Sequence, residues 1–254
     1  MDIKKVKEYF MESEEVFLWW DPENDIMSSI YQRILNLLVK QLGQFPNIIS
    51  VLDAGCGKGR ITQVLADLYN VTAVDISETM INYVKELDIP AVRVVKSDLA
   101  NTLFLDNEFD AVVCLETLVH LPDIDKVFCE FYRIIKHNGI LIIDFDNKYG
   151  FIRLIKDLFY FLFKIFDARY KAEREKREQI FRTLSRSEVI HALSRSGFRI
   201  IRIFYIGVIV PLVIKNTPII TSRVFKYVDW LNRFLEKMPI IKIFSTYIFV
   251  VCQK

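Results

Sequence analysis

The segment that most restricts how this chain can fold is Val51-Leu-Asp-Ala-Gly-Cys-Gly-Lys-Gly-Arg60. Residues 48–53 form a short apolar run that reads as a buried strand, and it ends in a glycine-rich turn. Gly55 and Gly57 can adopt positive φ and let the backbone approach a ligand closely. A helix is expected over 61–69, and its first turn presents free N–H groups. Strand, glycine turn and helix in this order mark a site at the carboxyl end of a strand in an α/β sheet.

The rest of the chain keeps that rhythm. Strands are expected at 71–76, 91–96, 109–115 and 139–144, with helices at 78–87 and 124–136. Alternation at this spacing predicts a parallel, doubly wound sheet. Later, Ser185-Arg-Ser-Glu188 has capping-box spacing and opens a helix that Gly197 can end. Runs 198–205 and 244–251 read as an antiparallel pair completing the sheet, with a helix at 223–237 between them. Helices are also expected over 13–41, broken at Asp21-Pro22. The expected organisation is one domain over 1–254, with N-terminal helices in 1–45 and apolar helical insertions at 147–180 and 207–240 forming a lid.

Composition excludes several classes. With 52% hydrophobic residues in 254, the chain is not disordered and can bury a full core. Thirty-four Lys and Arg against 32 Asp and Glu give +2, so no bulk field draws it to nucleic acid. Cys56, Cys114, Cys129 and Cys252 form no CxxC pair and read as small buried residues in a reducing compartment. The first residues carry charges without an apolar core, so no secretory signal is expected. The longest uncharged run, 203–214, is too short to span a membrane. A cytoplasmic protein is expected, with room for peripheral membrane contact.

Three acids follow three successive strands. Asp53 precedes the glycine turn, where a carboxylate repels a pyrophosphate and suits a cationic ligand. Arg60 takes the place of the third glycine of a dinucleotide fingerprint. Asp75 closes the second strand, where an acid can accept ribose hydroxyls. Asp98, in Ser97-Asp98-Leu99, can accept an adenine amino proton while Leu99 packs on the ring.

Segments 51–60, 73–77, 96–99 and 109–123, with the final run 245–254, together resemble the class I S-adenosylmethionine-dependent methyltransferases. The resemblance implies a seven-stranded sheet with the last strand reversed, and S-adenosylmethionine as cofactor with S-adenosylhomocysteine as product. It implies that Asp53, Gly55 and Gly57 surround the methionyl part, with Ala54 and Cys56 in the same loop. It also implies that Asp75 holds the ribose and Asp98 the adenine amine. Ile76 and Leu99 then pack the adenine ring, and Ser97 and Leu115 complete the cofactor-binding set. Cys114-Leu-Glu-Thr stands where nucleic-acid methyltransferases carry other motifs, so a small-molecule acceptor is expected. The stretch 114–123 resembles that of quinone-biosynthesis O-methyltransferases. Some of those carry a metal-linked Glu-x-x-Glu-His cluster; here the second acid is Val119, and no metal is expected. Glu116 and His120 are the candidate catalytic residues. They are four apart and share a face if the turn is helical, and imidazole suits proton removal from an oxygen acceptor.

On a helix, residues 151–167 gather their polar side chains into an arc of about 100° and leave roughly 260° apolar. Such a helix lids an apolar substrate, lies in a membrane interface, or forms a homodimer contact. Two other classes stay open: a nicotinamide-dependent oxidoreductase, and a non-catalytic cofactor-binding or membrane-surface protein of the same fold.

Overall fold

The computed structural model describes residues 25–151, 153–155, 181–208 and 222–254. The expected helices before residue 25, most of the apolar helix 151–167 and the charged run that follows it lie outside the described residues.

The described chain builds one seven-stranded sheet in the order β3-β2-β1-β4-β5-β7-β6. Its strands are β1 (Ser50–Ala54), β2 (Asn70–Asp75), β3 (Arg93–Lys96), β4 (Phe109–Cys114), β5 (Ile135–Asp146), β6 (Arg199–Ile206) and β7 (Tyr247–Gln253). Helices α1 (Asp25–Leu42), α2 (Arg60–Ala66), α3 (Glu78–Glu86), α4 (Ile124–Ile134), α5 (Arg186–Arg195) and α6 (Ser222–Leu235) accompany them. β1 to β5 pair in parallel, and β7 lies antiparallel between β5 and β6. The expected seven-stranded sheet with a reversed last strand is therefore present, and the reversed strand sits inside the sheet rather than at its edge.

Strand alternation divides the core between the two faces. Leu52, Val112 and Leu141 face α4 and α5, where Phe128 and Phe131 are fully buried. Val51, Val113 and Ile142 face α1, packing with Leu38 and Leu42. Both faces are covered, so β4 and β5 read as nearly continuous apolar runs. In α4 the buried residues are Ile124, Val127, Phe128, Phe131 and Ile134, one stripe at helical spacing. Cys129 falls on the other side of that helix and is exposed, which corrects its expected burial; Cys56, Cys114 and Cys252 are buried.

The caps follow the sequence. Ser185 and Glu188 form the expected capping box, and Gly197, at φ 96°, follows the end of α5. β5 starts earlier than the apolar run 139–144 suggested. Ile135 pairs with Phe109, and the ladder resumes only at Ala111–Ile140 beyond a register shift. Asn138 takes φ 63° in that irregular stretch.

β1 has β2 on one side and β4 on the other, so the strand order reverses there. The carboxyl ends of β1 and β4 therefore flank the crevice where such sheets bind ligands.

Candidate active site

A cavity opens at that crevice, lined by the glycine turn, the ends of β2 and β4, and the start of α4. The turn is held by backbone bonds from Gly55 and Cys56 N–H to the Val74 carbonyl, at 2.8 and 3.0 Å. Gly55, Gly57 and Gly59 all have positive φ, at 81°, 50° and 78°. The first two serve different ends. A Cβ on Gly55 would meet the Thr117 side chain at 2.3 Å, whereas a Cβ on Gly57 would have nothing within 4 Å. Gly57 thus leaves open space on the side where a ligand would lie.

Asp75 is fixed by two backbone donors. Gly57 N–H donates to Oδ2 at 3.0 Å, and Ser77 N–H donates to Oδ1 at 2.9 Å. Burial raises its pKa, and these N–H bonds oppose the rise. Asp98 accepts from Ala100 N–H at 2.9 Å, and Leu99 is buried beside it.

Leu115, Glu116, Thr117 and His120 also line the cavity. Glu116 is not on a helix with His120: it takes φ 56°, and only Leu118–His120 form a single 3-10 turn. The expectation of a shared helical face is corrected here. Both residues still line the cavity, because the left-handed turn at Glu116 redirects the chain. The His120 ring lies 4.9 Å from the Phe181 ring, centroid to centroid. Arg182 ties this loop down, donating from its N–H to the Val119 carbonyl at 2.7 Å and from its guanidinium to the Pro122 carbonyl at 3.3 Å.

The cavity brings together Gly55, Cys56, Gly57, Asp75, Ile76, Asp98, Leu99, Leu115, Glu116 and His120 of the expected set. It does not include Asp53, Ala54 or Ser97. Asp53 shares the strand face of Val51, turned toward α2, and accepts from the Thr62 hydroxyl at 2.6 Å. It supports the turn from beneath instead of aiming into it. Burial pushes its pKa up to about 7, against the pull of the Thr62 bond. Residues the sequence reading did not single out include Thr117, marked only by its contact with Gly55, and Tyr31. The Arg60 guanidinium stands 3.8 Å over the Tyr31 ring, and both line the cavity. Among the described residues, no group of three or more His, Cys, Asp or Glu side chains could hold a metal ion.

Sheet order, glycine turn and crevice define a Rossmann-like domain with a cofactor site at its switch point. Residues 52–143 match the family described as methyltransferase domain. The ubiquinone biosynthesis O-methyltransferase of Rickettsia bellii is 33% identical over 140 residues, 51% of this chain and 58% of that protein. The malonyl-acyl-carrier-protein O-methyltransferase of Geobacter sulfurreducens is 29% identical over 73% of this chain and 67% of that protein. The structure of magnesium protoporphyrin IX methyltransferase from Synechocystis, solved with bound SAH, has a TM-score of 0.67 at 18% identity over 100% of both chains. The chain spans under two thirds of the length of the Rickettsia relative. Residues 52–143 are thus similar to a methyltransferase domain, and they lie in a sheet of Rossmann-like order.

Proposed function

We propose that this protein transfers a methyl group from S-adenosylmethionine to an oxygen of an apolar small molecule. The observation that carries the reading is the Asp75–Gly57 pair. A half-buried carboxylate, locked by two backbone N–H groups, stands beside a glycine that leaves open space at the cavity. The residues fit this cofactor. Asp75 retains acceptor capacity for ribose hydroxyls, and Asp98 with Leu99 and Ile76 suits an adenine amine and ring. The lining sets the acids Asp75, Asp98, Glu116 and Asp123 against the cations Lys58 and Arg60, a balance that gives no excess of positive charge for a pyrophosphate.

When bound, the cofactor supplies an electrophilic methyl on a sulfonium and leaves as a neutral thioether, while the acceptor gives up one proton. The chain's own part is to align, dry and deprotonate. Leu115, Leu121 and Val127 give the cavity apolar walls that exclude water. Glu116 and His120 are the groups placed to take the acceptor proton. The O-methyltransferase names of two relatives support an oxygen acceptor. The apolar lining supports a hydrophobic one.

Calorimetric titration of S-adenosylmethionine and S-adenosylhomocysteine into wild type and Asp75→Ala tests the cofactor. Micromolar binding that weakens in the variant is expected; no binding by folded wild type would end this reading. A screen of phenolic and enolic acceptors follows.

Tyr149, Phe151 and Leu154, just after β5, are exposed apolar side chains and favour a second element, peripheral contact with a membrane from which the acceptor is drawn. Among the described residues no helix is long and apolar enough to cross a membrane. Absence of co-sedimentation with anionic vesicles would remove that element.

A further inference from the structure

A buried acid stands behind the cavity wall. Asp144, on β5, is 1% exposed and does not line the cavity. Its Oδ1 accepts from the main-chain N–H of Glu116 at 2.5 Å. Its Oδ2 is buried and has no hydrogen-bond partner among the described residues. An orphaned carboxylate oxygen inside a protein is costly as an anion, and the cost falls when the group holds a proton or shares one. The partner it touches is itself unusual. Glu116 is one of few non-glycine residues with positive φ, a conformation that costs about 1–3 kcal/mol and persists only where surroundings impose it. The Asp144 bond is part of what imposes it.

We propose that Asp144 is a positioning residue for Glu116: its Oδ1 clamps the left-handed turn that points Glu116 into the cavity, and its buried, unpartnered Oδ2 sets a second carboxyl behind that turn, close enough for its charge to govern the charge on Glu116. The inference deepens the methyl-transfer reading and rests on it only for the pair's use in turnover.

The electrostatics agree with the geometry. Burial raises Asp144 to about 7, with Asp146 adding to the rise and the Glu116 N–H opposing it. Burial raises Glu116 well above the usual carboxylate range, and the negative charges of Asp144 and then Asp146 raise it further. Arg60, from the start of α2, pulls the other way. Tyr247 on β7, Tyr31 on α1 and Cys114 on β4 also feel the charge of Asp144, and burial keeps each of them protonated. Asp53 on β1 adds negative charge at Tyr31 and Cys114. The pocket around the pair is therefore rich in acids, with Arg60 as the cation that acts on Glu116. Two like charges in such a place do not both ionise, and the first proton lost belongs to the pair. A pair with one proton carries one negative charge. The proton given up by the acceptor neutralises it and later leaves to water. Asp144 touches neither acceptor nor cofactor in this scheme; it sets where Glu116 stands and when Glu116 is charged.

The test is a carbon-13 NMR titration of the ligand-free protein with labelled glutamate carboxyls, using Glu116→Gln to assign the Glu116 signal. Wild type should show Glu116 titrating far above an ordinary glutamate. Asp144→Asn keeps an acceptor for the Glu116 N–H and removes the charge. It should move the Glu116 midpoint down by about one pH unit or more. Asp144→Ser, a smaller acceptor, should do the same and guards against a fold defect peculiar to Asn. A role confined to holding the turn would leave the midpoint in place in both variants, and that result overturns the proposal. S-adenosylhomocysteine titration on the same samples separates the two readings. Binding with an unmoved midpoint sinks the pair alone. A moved midpoint without binding supports the pair and sinks the methyl-transfer reading.

Discussion

Thr117 occupies the space that a side chain on Gly55 would need. Its Oγ1 and Cγ2 would lie 2.3 and 2.4 Å from a Cβ built there. The same hydroxyl donates to the Leu115 carbonyl at 2.9 Å and reaches the Gly55 carbonyl at 3.3 Å. The turn after β1 and the turn after β4 are thus fitted to each other across the switch point, and the cavity wall depends on both.

Gly55→Ala and Gly57→Ala should therefore differ. Each forces alanine into positive φ, at about 1–3 kcal/mol. Gly55→Ala adds the Thr117 clash, so its Tm should fall further, at about 2–4 °C for each kcal/mol in a chain of this size. Gly57→Ala meets open space and should stay folded while losing S-adenosylhomocysteine affinity, because its methyl projects where the ligand would lie. Differential scanning calorimetry beside binding titration checks this. Equal Tm losses would refute the distinction.

Asp75→Ala removes an acceptor to which the backbone of Gly57 and Ser77 donates. Hydrogen bonds to a charged group contribute about 1.5–3 kcal/mol. S-adenosylmethionine affinity should fall about tenfold to a hundredfold. Asp75→Asn, which keeps one acceptor, should fall between. An unchanged Kd in the alanine variant would take Asp75 out of the site.

How far the chemistry was legible differs from residue to residue. Asp75 and Asp98 could be placed from the sequence because each closes an apolar run, and the end of a parallel strand has one destination. Asp53 met the same criterion and went elsewhere. Period-2 alternation put it on the α2 face, where Thr62 caught it, and that face is set by the register of the whole sheet. Helical spacing pairs Glu116 with His120, but Glu116 takes a left-handed turn whose N–H is bonded to Asp144, 28 residues away. Tyr31 reaches the cavity from α1 only through tertiary packing, and its helical stripe looks like ordinary core. The strands were legible from apolar runs bounded by turn residues, down to Val94-Val95 between the charged ends of β3; the early start of β5 was not, because it depends on pairing with Phe109.

Stability should depend on pH through Asp53. Its folded pKa, about 7, lies above the ordinary 3.8 because burial disfavours the anion. The protonated form therefore stabilises the fold fully below pH ~4 and less as pH rises through about 7. Asp53→Asn keeps an acceptor for Thr62 and removes the charge, so its Tm relative to wild type should rise between pH 4.5 and pH 8. Asp110 has the opposite sign. Burial works against its charge, but bonds from Lys136, Ser50 and Ile49 outweigh that and hold its pKa at about 2. Its contribution is present above pH ~4 and lost as pH falls through about 2. A Tm difference for Asp53→Asn that stays flat with pH would contradict the assignment.

His120→Ala should separate binding from turnover. The ring lines the cavity together with Glu116 and packs against Phe181. Nothing in the geometry makes it part of the ribose or adenine subsite, so S-adenosylhomocysteine affinity should stay within about twofold. If the imidazole takes the acceptor proton, kcat should fall by about 10²–10⁴, the usual range for a positioned base. Glu116→Gln provides the control, since both groups face the same space. Were Glu116 the base and His120 a wall, Glu116→Gln would carry the kcat loss and His120→Ala would mainly raise KM for the acceptor. Phe181→Leu adds the geometric arm. It keeps an apolar contact on the ring and removes the aromatic face, so an imidazole that must be held in one orientation should lose kcat there too. Unchanged kcat in both His120→Ala and Phe181→Leu would leave the acceptor proton to the Glu116–Asp144 pair.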